Sequence, residues 1–317
     1  MPKDIIARHS TLVLARATRT CRRHHKEIDL PIDRNALGAT RSATNVITPR
    51  WVLAYASALG LSSESYLDDS RPSTLIIPPT FCVCLEWTLS DMERGVSSLG
   101  LRADEQRGSV HALQDSRFER PLKLGMRVRT DSRVEYIGRT SAGAYVLTSF
   151  RHTDDETGDR LITSYSGAIL RGVDFADAPL GELPSDLADE SASGLAQISL
   201  PALQLERTLP HIYSECARIW NPIHTETAVA RAVGLDDIIV HGTLTWALAA
   251  REICRSVDAS DLGRLGRLSA QFRAPLVAGR TMTIRPNEIQ ANGQLRFSAV
   301  NEQGRTILAN GLLEILH

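Results

Sequence analysis

An eight-residue element occurs twice in this chain, and no other feature limits its fold as tightly. Phe118-Glu-Arg-Pro121-Leu122-Lys-Leu-Gly125 returns as Phe272-Arg-Ala-Pro275-Leu276-Val-Ala-Gly279, with Phe, Pro, Leu and Gly in register at an offset of 154 positions. Residues 55–68 lie against 213–226 at an offset of 158, and Ile76-Ile77 against Ile238-Ile239 at 162, so short insertions explain the drift. The chain has 317 residues, which is long for one domain. Two tandem copies of one unit account for that length more economically than two unrelated domains.

The periodicity says what the unit contains. Thr48 followed by Pro49 has the form of a helix start, Trp51, Leu53, Ala54, Ala58 and Leu59 give an apolar side, and Gly60 stops the helix. A polar loop over 62–70 leads to Leu75-Ile76-Ile77, and the Pro78-Pro79 pair punctuates a second helix predicted over 81–92. After Gly108 the pattern alternates, predicting strands at 110–113, 126–137, 143–151 and 161–171, with a turn signal at 154–158. The second copy repeats this with strands at 281–285, 295–300 and 306–313, joined by Asn292-Gly293 and a turn at 301–304. Helices followed by an antiparallel sheet mean an α+β class, not a wound parallel fold. The expected layout is an N-terminal arm over 1–45, a first copy over 46–175, a linker over 176–200 rich in Asp, Glu, Ala, Pro and Ser, and a second copy over 201–317.

Charge and cysteine usage narrow the partners. The 36 basic and 37 acidic residues leave a net charge of -1, so no strong field favours nucleic acid or an anionic membrane. Only Lys3, Lys26 and Lys123 are lysines, and so lopsided an arginine usage reads as composition before it reads as phosphate binding. Cys21, Cys82, Cys84, Cys216 and Cys254 have no metal spacing and read as free thiols in a reducing compartment; alternation would put Cys82 and Cys84 on one side of a strand. The basic run at 22–26 reads as part of a solvated arm, with a short strand possible at 11–15, and the adjacent His24 and His25 make a poor metal pair. No apolar run approaches the roughly 18 residues of a membrane helix. The N-terminus lacks a signal-peptide core, and a cytoplasmic protein without metal or cofactor is expected.

Chemistry concentrates between Tyr213 and Trp246. Asn221-Pro222-Ile223-His224 forms a stiff corner between two helical patterns, and the apolar run Ile238-Ile239-Val240 breaks at His241-Gly242. The corner, the Ala-rich segment after it, Gly234 and the Ile238-to-Gly242 break resemble the signature of MaoC-like (R)-specific enoyl-thioester hydratases and dehydratases, which have the hot-dog fold. The resemblance covers residues 46–317 as a double hot dog, the second copy being much the closer, and it implies a hydro-lyase of fatty-acid or polyketide metabolism acting on an acyl thioester of CoA or acyl carrier protein. Adding water across such a double bond needs a base for water, an acid for the alpha carbon and donors for the enolate-like oxygen. The resemblance gives His224 the acid-base role, Asn221 an amide that holds water or fixes the corner, and Gly242 an N-H at a helix start, with Thr243 beside it as an auxiliary. A homodimer or a pseudo-dimeric monomer is implied, as is the absence of a cofactor.

The departures matter as much. The family reads Gly-Asp-x-Asn-Pro-x-His, whereas the Gly and Asp positions here are Arg218 and Ile219, and an isoleucine moves no proton. Glu215 and Glu226 are the nearest carboxylates in sequence, either of them a solvated surface group before it is a partner. In the first copy Leu61 and Tyr66 stand at the Asp and His positions, so that site is expected to be lost and its space given to a larger acyl cavity near Phe81 and Trp87. His241 reads as a hydrogen-bonded structural histidine and His111 as packing or surface. A serine hydrolase is disfavoured, since no Gly-x-Ser-x-Gly occurs. A tailoring dehydratase, isomerase or cyclase of secondary metabolism, a hot-dog thioesterase and a non-catalytic acyl-binding protein remain open.

Overall fold

Eleven strands join in one antiparallel sheet. A computed structural model of the chain describes residues 32–90, 99–101, 105–106, 108–175, 178–188, 198–257 and 262–316. The basic run at 22–26, the strand predicted at 11–15 and Cys21 lie outside these residues. The strands are β1 (Thr40–Val46), β2 (Ser109–Phe118), β3 (Arg127–Thr140), β4 (Gly143–Asp154), β5 (Arg160–Arg171), β6 (Leu180–Gly181), β7 (Leu203–Gln204), β8 (Leu265–Phe272), β9 (Thr281–Pro286), β10 (Gln294–Asn301) and β11 (Thr306–Ile315). Their spatial order is β1-β3-β4-β5-β2-β8-β11-β10-β9-β7, with β6 beside β3.

Strand order makes the repeat visible. On either side of the β2–β8 seam the order is the same, so β3, β4 and β5 answer to β9, β10 and β11. Across the seam Asp115 lies opposite Ser269, which is its own counterpart at the offset of 154. A residue pairs with its counterpart only on a local twofold axis. The helices obey the same axis: α1 (Pro49–Ala58) packs on α4 (Leu209–Ala217), and the counterparts Tyr55 and Tyr213 meet with ring centroids 5.9 Å apart.

Local chemistry explains the helix ends. Pro49 occupies the first turn of α1, where a missing N-H costs nothing, and Gly60 beyond it takes a φ of 66° that disfavours any side chain. Trp51, Val52, Tyr55, Ala56 and Ala58 are its buried side. Among the described residues the other α-helices are α2 (Glu64–Leu67), α3 (Cys82–Trp87), α5 (Thr227–Ala232) and α6 (Gly242–Ser256). One apolar core runs from Ile47 in the first half to Ile315 in the second, and α6 contributes Leu244, Trp246, Leu248 and Ile253 to it.

Several expectations are corrected. The second helix stops at Trp87 and holds Cys82 and Cys84, which are therefore buried on a helix and not paired on a strand face. Cys216 is only half-buried, while Cys254 is buried; all four described cysteines are free thiols. Part of the stretch assigned to the arm is the edge strand β1, whose alternation is hidden in sequence because its half-buried positions carry Arg41, Ala43 and Asn45 while the apolar Val46 is exposed. The polar loop over 62–70 contains α2, and the linker contains β6. Within that linker Asp186 pairs with Arg117, and the Ala188 N-H donates to Asp115 at 2.9 Å, so these residues lie over the seam. β8 went unpredicted because Gly266, Arg267 and Ser269 interrupt its apolar positions.

Candidate active site

The Asn-Pro-Ile-His corner is a single 3-10 turn, Pro222–His224, capped by Asn221. Asn221 Oδ1 accepts the Ile223 N-H at 3.3 Å, and Pro222 fixes the first φ of the turn. The apolar run 238–240 holds the corner from the other side. Val240 N-H donates to the Leu276 carbonyl and Ala278 N-H to that of Ile238, which binds the run to the repeated Pro-Leu-x-x-Gly element. Its Ile239 carbonyl then accepts the His224 Nδ1-H at 2.8 Å. A carbonyl cannot donate, so Nδ1 carries the proton and the neutral ring keeps Nε2 as an acceptor.

His224 is 9% exposed and stacks on His241, with centroids 3.6 Å apart and planes 22° from parallel. Burial pushes the His224 pKa down to about 4 against the opposing bond to Ile239. Burial and then the neighbouring His224 ring hold His241 well below the ordinary imidazole range. His241 Nε2 lies 3.1 Å from Ser214 Oγ and 3.4 Å from the Ile219 carbonyl, and its Nδ1 has no hydrogen-bond partner among the described residues. Gly242 opens α6, so its N-H has no intrahelical acceptor and sits at the positive end of the helix. A Cβ there would lie 3.1 Å from the Phe272 ring. Thr243 Oγ1 accepts from Tyr213 at 3.2 Å.

Asn221, His224, Gly242 and Thr243 all line one cavity of about 700 Å³. Glu215 does not join them: it is exposed and accepts the Trp220 indole N-H at 3.2 Å. Glu226 is exposed as well. Ile219 lines the cavity and is 5% exposed, so the position where the family carries Asp is filled by an apolar side chain. Arg218, at the family's Gly position, takes a left-handed φ of 59° and lays its guanidinium 4.2 Å over the Trp51 ring. In the first half, Leu61 is buried core and Tyr66, also buried, accepts the Leu262 N-H, so both counterpart positions are packed.

The cavity extends well into the first half. Trp87 lines it, whereas Phe81 is wholly buried against Trp51 and Tyr55. Sequence reasoning missed Glu86, the only carboxylate among the described lining residues, and Gln114 beside it. His111 also lines the cavity, its ring tilted 37° to that of Phe272 with centroids 4.6 Å apart and Nε2 3.0 Å from Ser166 Oγ, and burial pushes its pKa down to about 4. Their signal was absent because Glu86 lies nowhere near the corner in sequence. Among the described residues, no three His, Cys, Asp or Glu side chains converge as a metal site requires.

Two family models match parts of the chain. The family model described as "MaoC like domain" matches residues 213–307, the span from α4 through the corner to β11. That stretch is similar to a MaoC-like domain. A second model, "FAS1-like, dehydratase domain region", matches residues 36–163. The chain is 26% identical over 264 residues to enoyl-CoA hydratase ChsH3 of Mycobacterium tuberculosis, covering 80% of this chain and 89% of that one. It is 25% identical over 99 residues to mouse peroxisomal multifunctional enzyme type 2 and 21% over 189 residues to probable enoyl-CoA hydratase 2 of Dictyostelium discoideum, spanning 13% and 62% of their lengths. A MaoC-like dehydratase from Phytophthora capsici superposes with a TM-score of 0.75 at 18% identity, over 91% of this chain and 98% of that one. A Mycobacterium tuberculosis protein described as a double hotdog fold superposes at 0.59 with 14% identity over 88% and 95%. The two halves thus form a double hot dog, as the resemblance implied.

Proposed function

We propose that the chain adds water to, or removes it from, the 2,3-bond of an acyl thioester, with His224 as general acid-base. The observation that carries this is the His224 tautomer. With Nδ1-H held by the Ile239 carbonyl, Nε2 is left as a base on the wall of a largely apolar cavity. The Gly242 N-H would receive the charge that develops on the thioester oxygen, helped by the α6 dipole. Asn221, whose Oδ1 serves the turn, keeps its amide N-H for water or substrate. In this reading Glu215 has no part and Thr243 supports Tyr213 and the start of α6. The family names of the relatives support an enoyl-CoA substrate and cofactor-independent chemistry; the same cavity would also accept a carrier-protein thioester. The β2–β8 seam supports a pseudo-dimeric monomer, and the free thiols support a reducing, cytoplasmic setting.

The test is loss of enoyl absorbance on incubation with crotonyl-CoA and longer trans-2-enoyl-CoAs. His224→Ala should abolish turnover while the circular dichroism stays unchanged, and an undiminished rate would sink the assignment. Ile219 favours one other reading, a tailoring dehydratase, isomerase or cyclase with less need of the carboxylate. Loss of the enoyl absorbance accompanied by release of free thiol would mark a thioesterase instead, since hydration leaves the thioester intact.

A further inference from the structure

The first-half wall of the cavity is more polar than a fold of this kind requires. Glu86 on α3 is 7% exposed and Gln114 on β2 is fully buried, yet both line the cavity. Gln114 Nε2 donates to Glu86 Oε2 at 3.1 Å and to Ser116 Oγ at 3.0 Å, while His152 Nε2 lies 3.4 Å from Glu86 Oε1. His152 is in turn fixed by Thr130 Oγ1, 3.0 Å from its Nδ1. Offsets of 162 on the helix and 154 on the strand place Leu248, Leu268 and Ala270 at the positions of Glu86, Gln114 and Ser116, and all three are buried core. An apolar solution therefore exists in the same chain. Burying a carboxylate and an amide where leucine would serve is unfavourable unless something meets them.

The chemistry of the pair says what would meet them. Gln114 must point Nε2 at the carboxylate, since the flipped amide would set two acceptors against each other. That leaves its Oε1, which has no hydrogen bond of normal geometry among the described residues. Burial alone raises the Glu86 pKa, but the hydrogen bond and charge of His152, with Ser164 and Gln114, bring it below its ordinary value. Glu86 is then an ionised, acceptor-only group with lone pairs to spare. The complementary ligand group is a donor. A cation would have to shed its hydration against Val83, Leu89 and Val134, which costs more than bringing in a neutral hydroxyl.

We infer that Glu86 and Gln114 bind a hydroxyl group carried on the acyl portion of the thioester. The inference rests on the thioester reading of the cavity but not on hydration. Calorimetry with saturated medium-chain acyl-CoAs and their N-acetylcysteamine analogues, each with and without one hydroxyl at successive carbons from C-5 outward, measures it without turnover. At least one hydroxylated isomer should bind about tenfold tighter than its plain counterpart, as fits a hydrogen bond to a charged group. Glu86→Gln, which preserves shape, should reduce that preference several-fold, and Glu86→Leu should reverse it towards the plain chain. Equal binding across every pair, or no binding at all, overturns the proposal, as does a preference that survives Glu86→Gln. The last outcome decides the matter even where Glu86→Leu does not fold. A hydroxyl preference without hydration of any enoyl-CoA would sink the proposed reaction and leave this site standing.

Discussion

At the scale of single residues, the proton on His224 Nδ1 sets the pH behaviour. A base whose pKa lies near 4 is already neutral at physiological pH, so kcat/KM for hydration should stay level down to about pH 5 and fall below it. Stability has the same sign. The unfolded imidazole titrates near 6.5 and the folded one near 4, so the unfolded chain binds the extra proton between these values. Stability is fully present above about pH 6.5 and declines towards pH 4, by roughly 1 kcal/mol per pH unit for this one ring. Thermal melts from pH 7 to pH 5 should show a shallower decline in His224→Asn than in the parent; parallel curves would remove His224 from the cause. Ile219→Asp restores the family's acid at a buried position. It should cost about 2–4 kcal/mol of stability and raise crotonyl-CoA hydration roughly tenfold or more. An unchanged rate would mean that the acid is not what limits this site.

At the scale of elements, the start of α6 is where packing and chemistry meet. A Cβ on Gly242 would lie 3.1 Å from the Phe272 ring, which itself leans at a tilt on His111 from the other half. Gly242→Ala should push that ring aside by a few tenths of an ångström, cost about 1 kcal/mol and lower kcat. Phe272→Leu in the same chain should relieve the stability cost, and strictly additive effects in that double-mutant cycle would rule out the contact. The helices and strands with strong periodicity, α1, β4, β5 and β9 to β11, were legible in sequence because a half-buried element shows its period. β1 was not, since Arg41 and Asn45 stand on its half-buried side and Val46 on its exposed one, and neither was β8, a central strand interrupted by Gly266 and Arg267. The corner and the His-Gly break were legible because both are local. Glu86, Gln114 and His111 come together only through the sheet, and no spacing in the chain announces them.

At the scale of the molecule, contacts group Pro31–His317 into one unit, with a core shared by both halves. The seam holds a buried ion pair: Arg267 donates to both Asp115 oxygens, at 2.9 and 2.7 Å, and Asp115 is 1% exposed. Asp115→Ala strands the guanidinium and should cost about 3–5 kcal/mol, while replacing both residues by apolar ones of similar volume should recover most of it. Urea titration should show one transition in every case; two separated transitions would mean that the halves fold independently. The seam also has a hereditary side. In a symmetric dimer every substitution appears twice, so a change that widens one cleft also alters the other's working residues. Here Asp115 and Ser269 face each other across an axis inside one polypeptide, and each position mutates alone. One half thus carries Tyr66 and Glu86 where the other carries His224 and Leu248, and each wall of the cavity is set without altering its counterpart.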